Sequence, residues 1–173
     1  MSDDRLLVVA ERLAGVLGEQ CVLIGGLAVA AWGHVRATRD VGFASRVDAS
    51  LIRERLAKAG IPNELRTGDP FGGDLEWVVH GTLDEVPFEI LAPPMPVDWD
   101  AASEIDMPDG CVIRLVGLRD LLRLKIGAGG PRDLWDVASL LKSYPEERDV
   151  ALSEAERQGR REALIEWLND PRL

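Results

Sequence analysis

The sequence predicts an α+β (α/β) fold, in which a mixed β-sheet is flanked by helices and followed by a helical C-terminal part. Short apolar runs bounded by glycine and proline alternate with helical patterns through the first two thirds of the chain. From residue 117 onward the apolar periodicity is helical. The 173 residues are 46% hydrophobic, which is enough to bury a core. We therefore predict a head over 1–116 and a helical part over 117–173 packed on it.

The N-terminal elements follow from the spacing of apolar residues and from the positions of glycine. Residues 3–18 place apolar side chains three and four positions apart, which predicts an amphipathic helix ending at Gly18. The apolar run over 21–24 predicts a buried strand, and the small apolar residues over 27–32 predict a short buried helix. A second strand is predicted over 40–45, with successive side chains on opposite faces.

The middle of the chain predicts one helix and several strands. Asp48 and Ser50 are N-cap residue types, which favours a helix over 51–59 that ends at Gly60. Beyond it we predict a strand, a loop rich in Gly, Asp and Pro, two hairpin strands around 81–85, and a short edge strand. These lie over residues 61–66, 67–73, 75–80, 86–91 and 111–115, respectively.

The C-terminal part predicts three helices. Apolar residues at helical spacing mark two of them over 118–126 and 134–141, with glycines between. Ser153 and Glu156 match a capping box, which predicts a last helix ending near Asn169.

The charge balance limits the partners of the chain. With 30 acidic and 20 basic residues, the net charge is -10. Affinity for nucleic acid comes mainly from Lys and Arg that neutralise phosphates, so a general polyanion binder is excluded. A tRNA would have to be held by a local arginine-rich rim, for which Arg36, Arg39 and Arg46 are the candidates.

Cysteine usage and hydropathy predict a cytoplasmic location. Cys21 and Cys111 lie in apolar stretches and match neither a disulfide framework nor a metal motif, so we expect two buried thiols in a reducing compartment. The acidic start of the chain does not match a signal peptide. The longest weakly polar run covers only residues 21–33, whereas a membrane span needs about 20 residues, so no membrane contact is expected.

Three features are candidates for chemistry. Gly25 and Gly26 stand between an apolar strand and a helix, where they could let a phosphate approach or could form only a tight turn. Asp40 stands at the entry to an apolar strand beside two arginines, and the alternative is a solvated loop end. Glu89 lies within an apolar strand, where it either faces water or, with carboxylates of neighbouring strands, holds Mg²⁺.

These residues together resemble a known family. Residues 24–28 (Ile-Gly-Gly-Leu-Ala) and 36–41 (Arg-Ala-Thr-Arg-Asp-Val) resemble the minimal nucleotidyltransferase fold. More narrowly, they resemble the abortive-infection AbiEii-like nucleotidyltransferases of toxin–antitoxin systems. Residues 121–125, which end in a lysine, and 132–136 (Arg-Asp-Leu-Trp-Asp) resemble that family's late Lys and Asp motifs. The resemblance covers roughly residues 20–142.

The resemblance implies a transfer reaction that uses a nucleoside triphosphate and Mg²⁺ (or Mn²⁺). Members of the family move a nucleoside monophosphate to an acceptor hydroxyl and release pyrophosphate. By this resemblance Gly25 and Gly26 would hold phosphates, and Asp40 and Glu89 would be metal ligands and catalytic residues. Arg36 and Thr38, from the same motif, would also contact the nucleotide.

The late motifs would complete the site. By the same resemblance Lys125 would be catalytic and reach the phosphates, and Asp133 or Asp136 would shape the nucleotide or acceptor site. Without the resemblance, Asp133 would be a stabilising charge in the first turn of a helix and Lys125 part of a solvated helix face.

One position departs from the family pattern. The second carboxylate of the family's Asp-x-Asp pair is missing, because residue 42 is Gly. Residue 42 shares the face of Asp40, so no ligand stands where the second carboxylate is expected. Asp48 could replace it only after a sharp turn, and its favoured role is the N-cap. Asp69 and Asp74, in and beside the Gly-rich loop, are the other substitutes considered.

Three hypotheses follow from Gly42. The chain is an active nucleotidyltransferase with an atypical metal site, whose acceptor is a tRNA, a protein or a small hydroxyl compound. It is a degenerate member that binds a nucleotide or a partner without efficient turnover. Or it is an enzyme in which Gly42 replaces an aspartate.

An interaction domain is the alternative from a different class. The chain would then be the neutralising half of a toxin–antitoxin pair, with a face around Trp167 for its cognate partner. The favoured interpretation is that Leu164, Ile165 and Leu168 pack on the core.

Overall fold

The computed structural model describes residues 3–68 and 75–172. The chain divides into two compact units. The first unit consists of Met1–Leu27 and Ala37–Gly117 and contains the sheet. The second unit consists of Ala28–Arg36 and Leu118–Leu173 and is helical.

Seven strands and seven α-helices occur in the described parts of the chain. The strands are β1 Cys21–Ile24, β2 Val41–Ser45, β3 Asn63–Thr67, β4 Trp77–Leu83, β5 Val86–Leu91, β6 Ser103–Asp106 and β7 Val112–Leu115. The helices are α1 Asp3–Leu17, α2 Gly25–Ala31, α3 Ala49–Lys58, α4 Leu118–Ala128, α5 Pro131–Ser143, α6 Arg148–Arg157 and α7 Arg161–Leu168. The predicted α+β class is confirmed.

The strands form one mixed sheet in the order β3-β4-β5-β2-β1-β7-β6. The β2–β5 and β1–β7 pairs are parallel, and the other pairs are antiparallel. The prediction of an edge strand near 111–115 is wrong, because β7 lies between β1 and β6. The edge strand β6 has a single apolar residue, Ile105, and so shows no hydrophobic pattern.

A row of buried apolar side chains crosses the sheet of the first unit. Cross-strand neighbours Leu23, Phe43, Ile90 and Val79 form a buried row through β1, β2, β5 and β4. Helices α1 and α3 contribute six more large buried side chains to this unit. These are Leu6, Val9, Leu13, Leu17, Ile52 and Leu56.

The β4–β5 hairpin is tighter than the pattern suggests. The sequence predicts a connection over residues 81–85, but only Asp84 and Glu85 lie in the turn, with φ of 48° and 67°. A two-residue turn with positive φ at both positions matches the twist of the flanking strands. Arg12 pairs with Asp84, and Arg5 lies 2.7 Å from Glu85.

The predicted last helix is two helices. Ser153 lies inside α6 and is therefore not an N-cap, so the predicted capping box is wrong. The chain breaks at Gly159, whose φ is 66°, before α7 begins. The favoured packing of the tail holds within the second unit for Leu164, which is buried, whereas Ile165 and Leu168 are half-buried. Trp167 also packs edge-on against Trp135, with ring centroids 5.5 Å apart.

The cysteines differ in burial. Cys21 is buried, and burial raises the pKa of its thiol to about 11. Cys111 is half-buried, so the expectation of two buried thiols is wrong for this residue. No described helix combines the length and apolar character that would let it cross a bilayer.

Asp48 is the N-cap of α3, as predicted. One of its carboxylate oxygens accepts hydrogen bonds from the Leu51 N–H at 2.9 Å and the Ser50 hydroxyl at 2.5 Å. The Ser50 hydrogen bond, followed by that from Leu51, lowers the pKa of Asp48.

Replacing Asp48 with Ala is expected to lower the free energy of unfolding by about 1 kcal/mol, because the Leu51 N–H loses its partner. Urea unfolding at pH 7 measures this effect. Asp98→Ala, in a loop, would be a poor control because Asp98 also caps backbone N–H groups. Glu162→Ala on the exposed surface of α7 is the better control. Equal stability of Asp48→Ala and the parent would contradict the capping role.

Candidate functional site

The glycine turn after β1 has the backbone and the open space that a phosphate site needs. Gly25 has φ of 72°, a conformation that L side chains rarely adopt. No atom lies within 4 Å of the position a Cβ would take on Gly25. The helix predicted to start at residue 27 already begins at Gly25.

Two of the predicted carboxylates lie near the strand ends beside this turn, on strands in the interior of the sheet. Ile24, just before the turn, pairs with Gly42 of β2, and Gly42 pairs with Glu89 of β5. Asp40 immediately precedes β2, two residues before Gly42. We call Gly25, Gly26, Asp40, Gly42 and Glu89 the carboxylate edge. It brings together the residues predicted for phosphate and metal contacts in the first unit.

The side chains of the carboxylate edge point toward solvent. Asp40 and Glu89 are both exposed. The Thr38 hydroxyl donates a hydrogen bond to a carboxylate oxygen of Asp40 at 3.1 Å, which orients that carboxylate. An exposed, oriented carboxylate keeps lone pairs available for a cation.

Gly42 leaves a gap in this acidic row, and the gap could hold a side chain. A Cβ on Gly42 would meet Ile24 Cγ1 at 3.4 Å and the Ile24 carbonyl oxygen at 3.8 Å. These are ordinary contacts. Because residue 42 is the cross-strand neighbour of Glu89, a carboxylate there would lie beside that of Glu89.

The two carboxylates present, Asp40 and Glu89, fit a cation that binds together with a nucleotide. No three His, Cys, Asp or Glu side chains within residues 3–68 and 75–172 are grouped to hold a metal ion. Mg²⁺ commonly takes one or two protein carboxylates and fills its other positions with waters and substrate phosphates. Asp40 and Glu89 would supply those carboxylates, and the bound ion would neutralise phosphate charge.

The substitute carboxylates do not change this set. Asp48 is engaged as the N-cap of α3. Asp69 and Asp74 lie outside the described residues. The prediction that Arg46 belongs to an arginine rim with Arg36 and Arg39 is also wrong. Arg46 follows the far end of β2, about 20 Å along the strand from Asp40. There its guanidinium bonds the Gln20 side chain at 2.6 Å and lies over Trp99.

The remaining predicted site residues form an ion-pair cluster in the second unit. Asp136 accepts two hydrogen bonds from Arg36, at 2.5 and 2.6 Å. The Lys125 ammonium lies 2.7 Å from Asp133 and 3.0 Å from Asp136. We call Arg36, Lys125, Asp133 and Asp136 the ion-pair cluster.

Burial makes this cluster a structural feature of the helical unit. The Asp136 side chain is 0% exposed and that of Lys125 11%. Burial alone would raise the pKa of Asp136, but hydrogen bonds and charges from Arg36 and Lys125 outweigh it and hold the pKa below its ordinary value. The expectation that, without the resemblance, Lys125 lies on a solvated helix face is wrong.

Sequence reasoning missed two residues that share a face of the sheet with Glu89, namely His80 and Glu64. His80 of β4 is the cross-strand neighbour of Glu89, and its Nε2 lies 3.7 Å from a carboxylate oxygen of Glu64 on β3. That Nε2 is buried and has no hydrogen-bond partner in the described structure. The two-residue turn after Leu83 sets this register, so recognising the turn would have aligned His80 with Glu89. A groove runs between Asn63, Glu64, His80, Thr82 and Glu89.

The chain has the fold of the nucleotidyltransferases. It superposes on a Thermotoga maritima protein provisionally assigned as a nucleotidyltransferase with a TM-score of 0.59 and 16% identity, covering 85% of this chain and 96% of that one. It superposes on ANT(2")-Ia in complex with adenylyl-2"-tobramycin with a TM-score of 0.63 and 7% identity, covering 89% and 98%. The solution structure of ANT(2'')-Ia gives a TM-score of 0.61 and 11% identity, covering 96% and 97%.

At these identities the similarity is one of fold. No protein-family model and no curated protein sequence matches the chain. The nucleotidyltransferase fold expected from the sequence motifs is confirmed, and the narrower AbiEii-like family stays a prediction.

Proposed function

We propose that this protein binds a nucleoside triphosphate with Mg²⁺ (or Mn²⁺) at the carboxylate edge and transfers its nucleoside monophosphate to an acceptor hydroxyl. One observation carries the proposal. The chain has a nucleotidyltransferase fold, and in it Glu89 pairs with Gly42, which is two residues after Asp40. Gly42 in turn pairs with Ile24, the residue just before the Gly25 turn. Phosphates would approach Gly25, where no side chain intervenes.

The reaction exchanges one phosphorus–oxygen bond for another. The acceptor hydroxyl oxygen bonds to the α-phosphorus, and the bond from that phosphorus to the oxygen bridging the β-phosphorus breaks. Pyrophosphate leaves with the electron pair of the broken bond, and the hydroxyl proton passes to solvent. Asp40 and Glu89 would orient the triphosphate through the shared cation, and Thr38 would keep Asp40 in position.

Gly42 favours slow transfer over efficient transfer. Losing a ligand between two ions removes stabilisation of the attacking and leaving oxygens, and each 1.4 kcal/mol lost is about tenfold in rate. The second candidate function, nucleotide or partner binding without turnover, is supported by the same glycine. Replacing Gly42 with Asp distinguishes the two functions.

A small hydroxyl compound is the acceptor that we favour. One structural neighbour holds adenylyl-2"-tobramycin, in which an adenylyl group is attached to a small molecule. The groove beside Glu89 is also lined by Glu64, whose carboxylate would repel the phosphates of a tRNA. A tRNA or protein acceptor, a toxin–antitoxin partner and phosphate contacts by Lys125, Arg36, Asp133 or Asp136 stay predictions.

Loss of either carboxylate is expected to weaken nucleotide binding only when the divalent cation is present. Calorimetric titration with each of the four common ribonucleoside triphosphates in Mg²⁺ measures the affinity of the parent chain. Asp40→Asn and Glu89→Gln should each raise the dissociation constant about tenfold in Mg²⁺, because each removes a charged ligand. In EDTA the three proteins should bind equally weakly.

Asp106→Asn is the control, because Asp106 is an exposed carboxylate on the distant edge strand β6. It should bind like the parent in both buffers. Absence of nucleotide binding by the parent, or equal losses in Mg²⁺ and EDTA, would contradict the proposed site.

A further inference from the structure

We propose that two copies of this chain pair along β3 about a two-fold axis, so that one sheet continues through both copies. Among the residues that the structure describes, β3 is the last strand of the sheet at this end, and it pairs with β4 alone. Four of its five residues are exposed, including Leu65 with 38% of its surface accessible. An exposed edge strand presents unpaired backbone groups to any strand that fits it.

The sequence of β3 is complementary to itself in the antiparallel direction. If the axis passes through Leu65, then Leu65 faces its counterpart, Asn63 faces Thr67, and Glu64 faces Arg66. Glu64 and Arg66 share one face of the strand, so each dimer would contain two cross-strand ion pairs. Arg66 forms no ion pair with a described residue, and Glu64 only approaches His80 at 3.7 Å.

The opposite face of β3 continues the core. Leu65 pairs with Val79, which pairs with Ile90, which in turn pairs with Phe43, and the last three side chains are buried. Leu65 is therefore the exposed end of an apolar row that crosses the sheet. Pairing at Leu65 would join this row to the same row of the second copy and remove both Leu65 side chains from water.

The other edge of the sheet lacks this complementarity. In β6, antiparallel pairing about Ile105 would place Glu104 opposite Asp106, so two pairs of like charges would meet. Charges that repel along an edge are a common protection against pairing. The contrast between the two edges points to β3 as the surface for a second copy.

Charge exchange tests the proposal on the full-length chain. Sedimentation equilibrium from low micromolar to millimolar concentration should show a monomer–dimer equilibrium for the parent. Arg66→Glu and Glu64→Arg should each raise the dimer dissociation constant about tenfold or more, because both symmetry-related pairs become repulsive. The double variant Glu64→Arg/Arg66→Glu exchanges the partners and should restore the parental value.

Sedimentation equilibrium of a control variant tests whether the effect depends on the site of the charge. Glu162→Arg, at an exposed site on α7, changes the net charge by the same amount and sign as Glu64→Arg and should leave the dimer constant unchanged. A monomer at every concentration overturns the proposal. So does a dimer that neither single exchange weakens, or one that the double variant fails to restore, because the contact would then lie elsewhere.

A cross-link tests the register independently of charge. In a Cys111→Ser background, Leu65→Cys places two thiols opposite each other across the axis and should give a disulfide-linked dimer under mild oxidation. Thr67→Cys in the same background faces Asn63 of the second copy and should cross-link far less. Equal cross-linking of the two variants would overturn the register, and none in either would overturn the pairing.

Discussion

Replacing Asp136 with Asn is expected to lower the free energy of unfolding by about 3–5 kcal/mol. Asp136 is the centre of the ion-pair cluster, with its side chain fully buried and paired to both Arg36 and Lys125. The substitution keeps the shape of the side chain but leaves two cations in a poorly solvated region without their shared counter-charge. Urea unfolding at pH 7 measures the loss.

Asp133→Asn is the matched control for Asp136. Asp133 also pairs with Lys125, but its side chain is 26% exposed and Lys125 keeps Asp136 as a partner. We expect this variant to lose about 1 kcal/mol or less. If both variants lose the same small amount, then the cluster does not stabilise the helical unit.

The dependence of stability on pH provides a second readout of Asp136. Its pKa is lower in the folded chain than in the unfolded chain, so the unfolded chain takes up the proton first as the pH falls. The stability that Asp136 contributes is therefore present above the ordinary carboxyl pKa of about 4 and is lost as the pH falls through the folded pKa. The difference between the parent and Asp136→Asn should accordingly shrink below about pH 4.

Replacing Gly42 with Asp is expected to raise the rate of nucleoside monophosphate transfer about a hundredfold. The position accepts a Cβ without a clash, and it lies on β2 directly beside Glu89. The new carboxylate would join Asp40 and Glu89 in one acidic row. Pyrophosphate release from each nucleoside triphosphate, with Mg²⁺ or Mn²⁺ and with small hydroxyl compounds or tRNA, measures the gain.

The same variant should acquire a stability that depends on the cation. Two carboxylates directly opposite each other on neighbouring strands repel, so Gly42→Asp should unfold at a lower temperature than the parent in EDTA. Binding of Mn²⁺ to the folded state should offset that loss. Gly42→Asn is the control, because its side chain has the same shape without the charge. Its unfolding temperature should be the same in EDTA and in Mn²⁺.

The outcomes separate the functions that Gly42 leaves open. Turnover by the parent, increased by Gly42→Asp, supports an active enzyme with an atypical site. Turnover by Gly42→Asp alone supports a protein that has lost a ligand and now binds without transfer. Turnover by neither chain, together with no effect of Mn²⁺ on Gly42→Asp, would contradict the proposed role of the carboxylate edge.

Much of the fold could be predicted because it depends on local patterns. The apolar spacing of α1, the alternation in β5 and the cap at Asp48 each involve residues a few positions apart, and each prediction is confirmed. The predictions that failed lie where the local signal is weak or ambiguous. β6 contains one apolar residue, and the pattern that suggested a cap at Ser153 occurs inside a helix.

The candidate site divides in the same way. Gly25, Asp40 and Glu89 could be selected from the sequence because glycines beside a strand and acids within apolar strands are locally unusual. That Glu89 stands beside Gly42 depends on the parallel pairing of β2 with β5, in which paired residues such as 42 and 89 are 47 positions apart in the chain. His80 was missed because its position beside Glu89 depends on a turn that was predicted too long.

The sequence alone establishes which residue types are available and which local elements they form, because propensity, capping and periodicity act over a few residues. Folding determines which distant side chains meet. Arg36 and Lys125 both pair with Asp136, which lies 100 positions after Arg36. That pairing arises from the packing of the helical unit, and the strength of its ion pairs comes from burial, which no local pattern specifies.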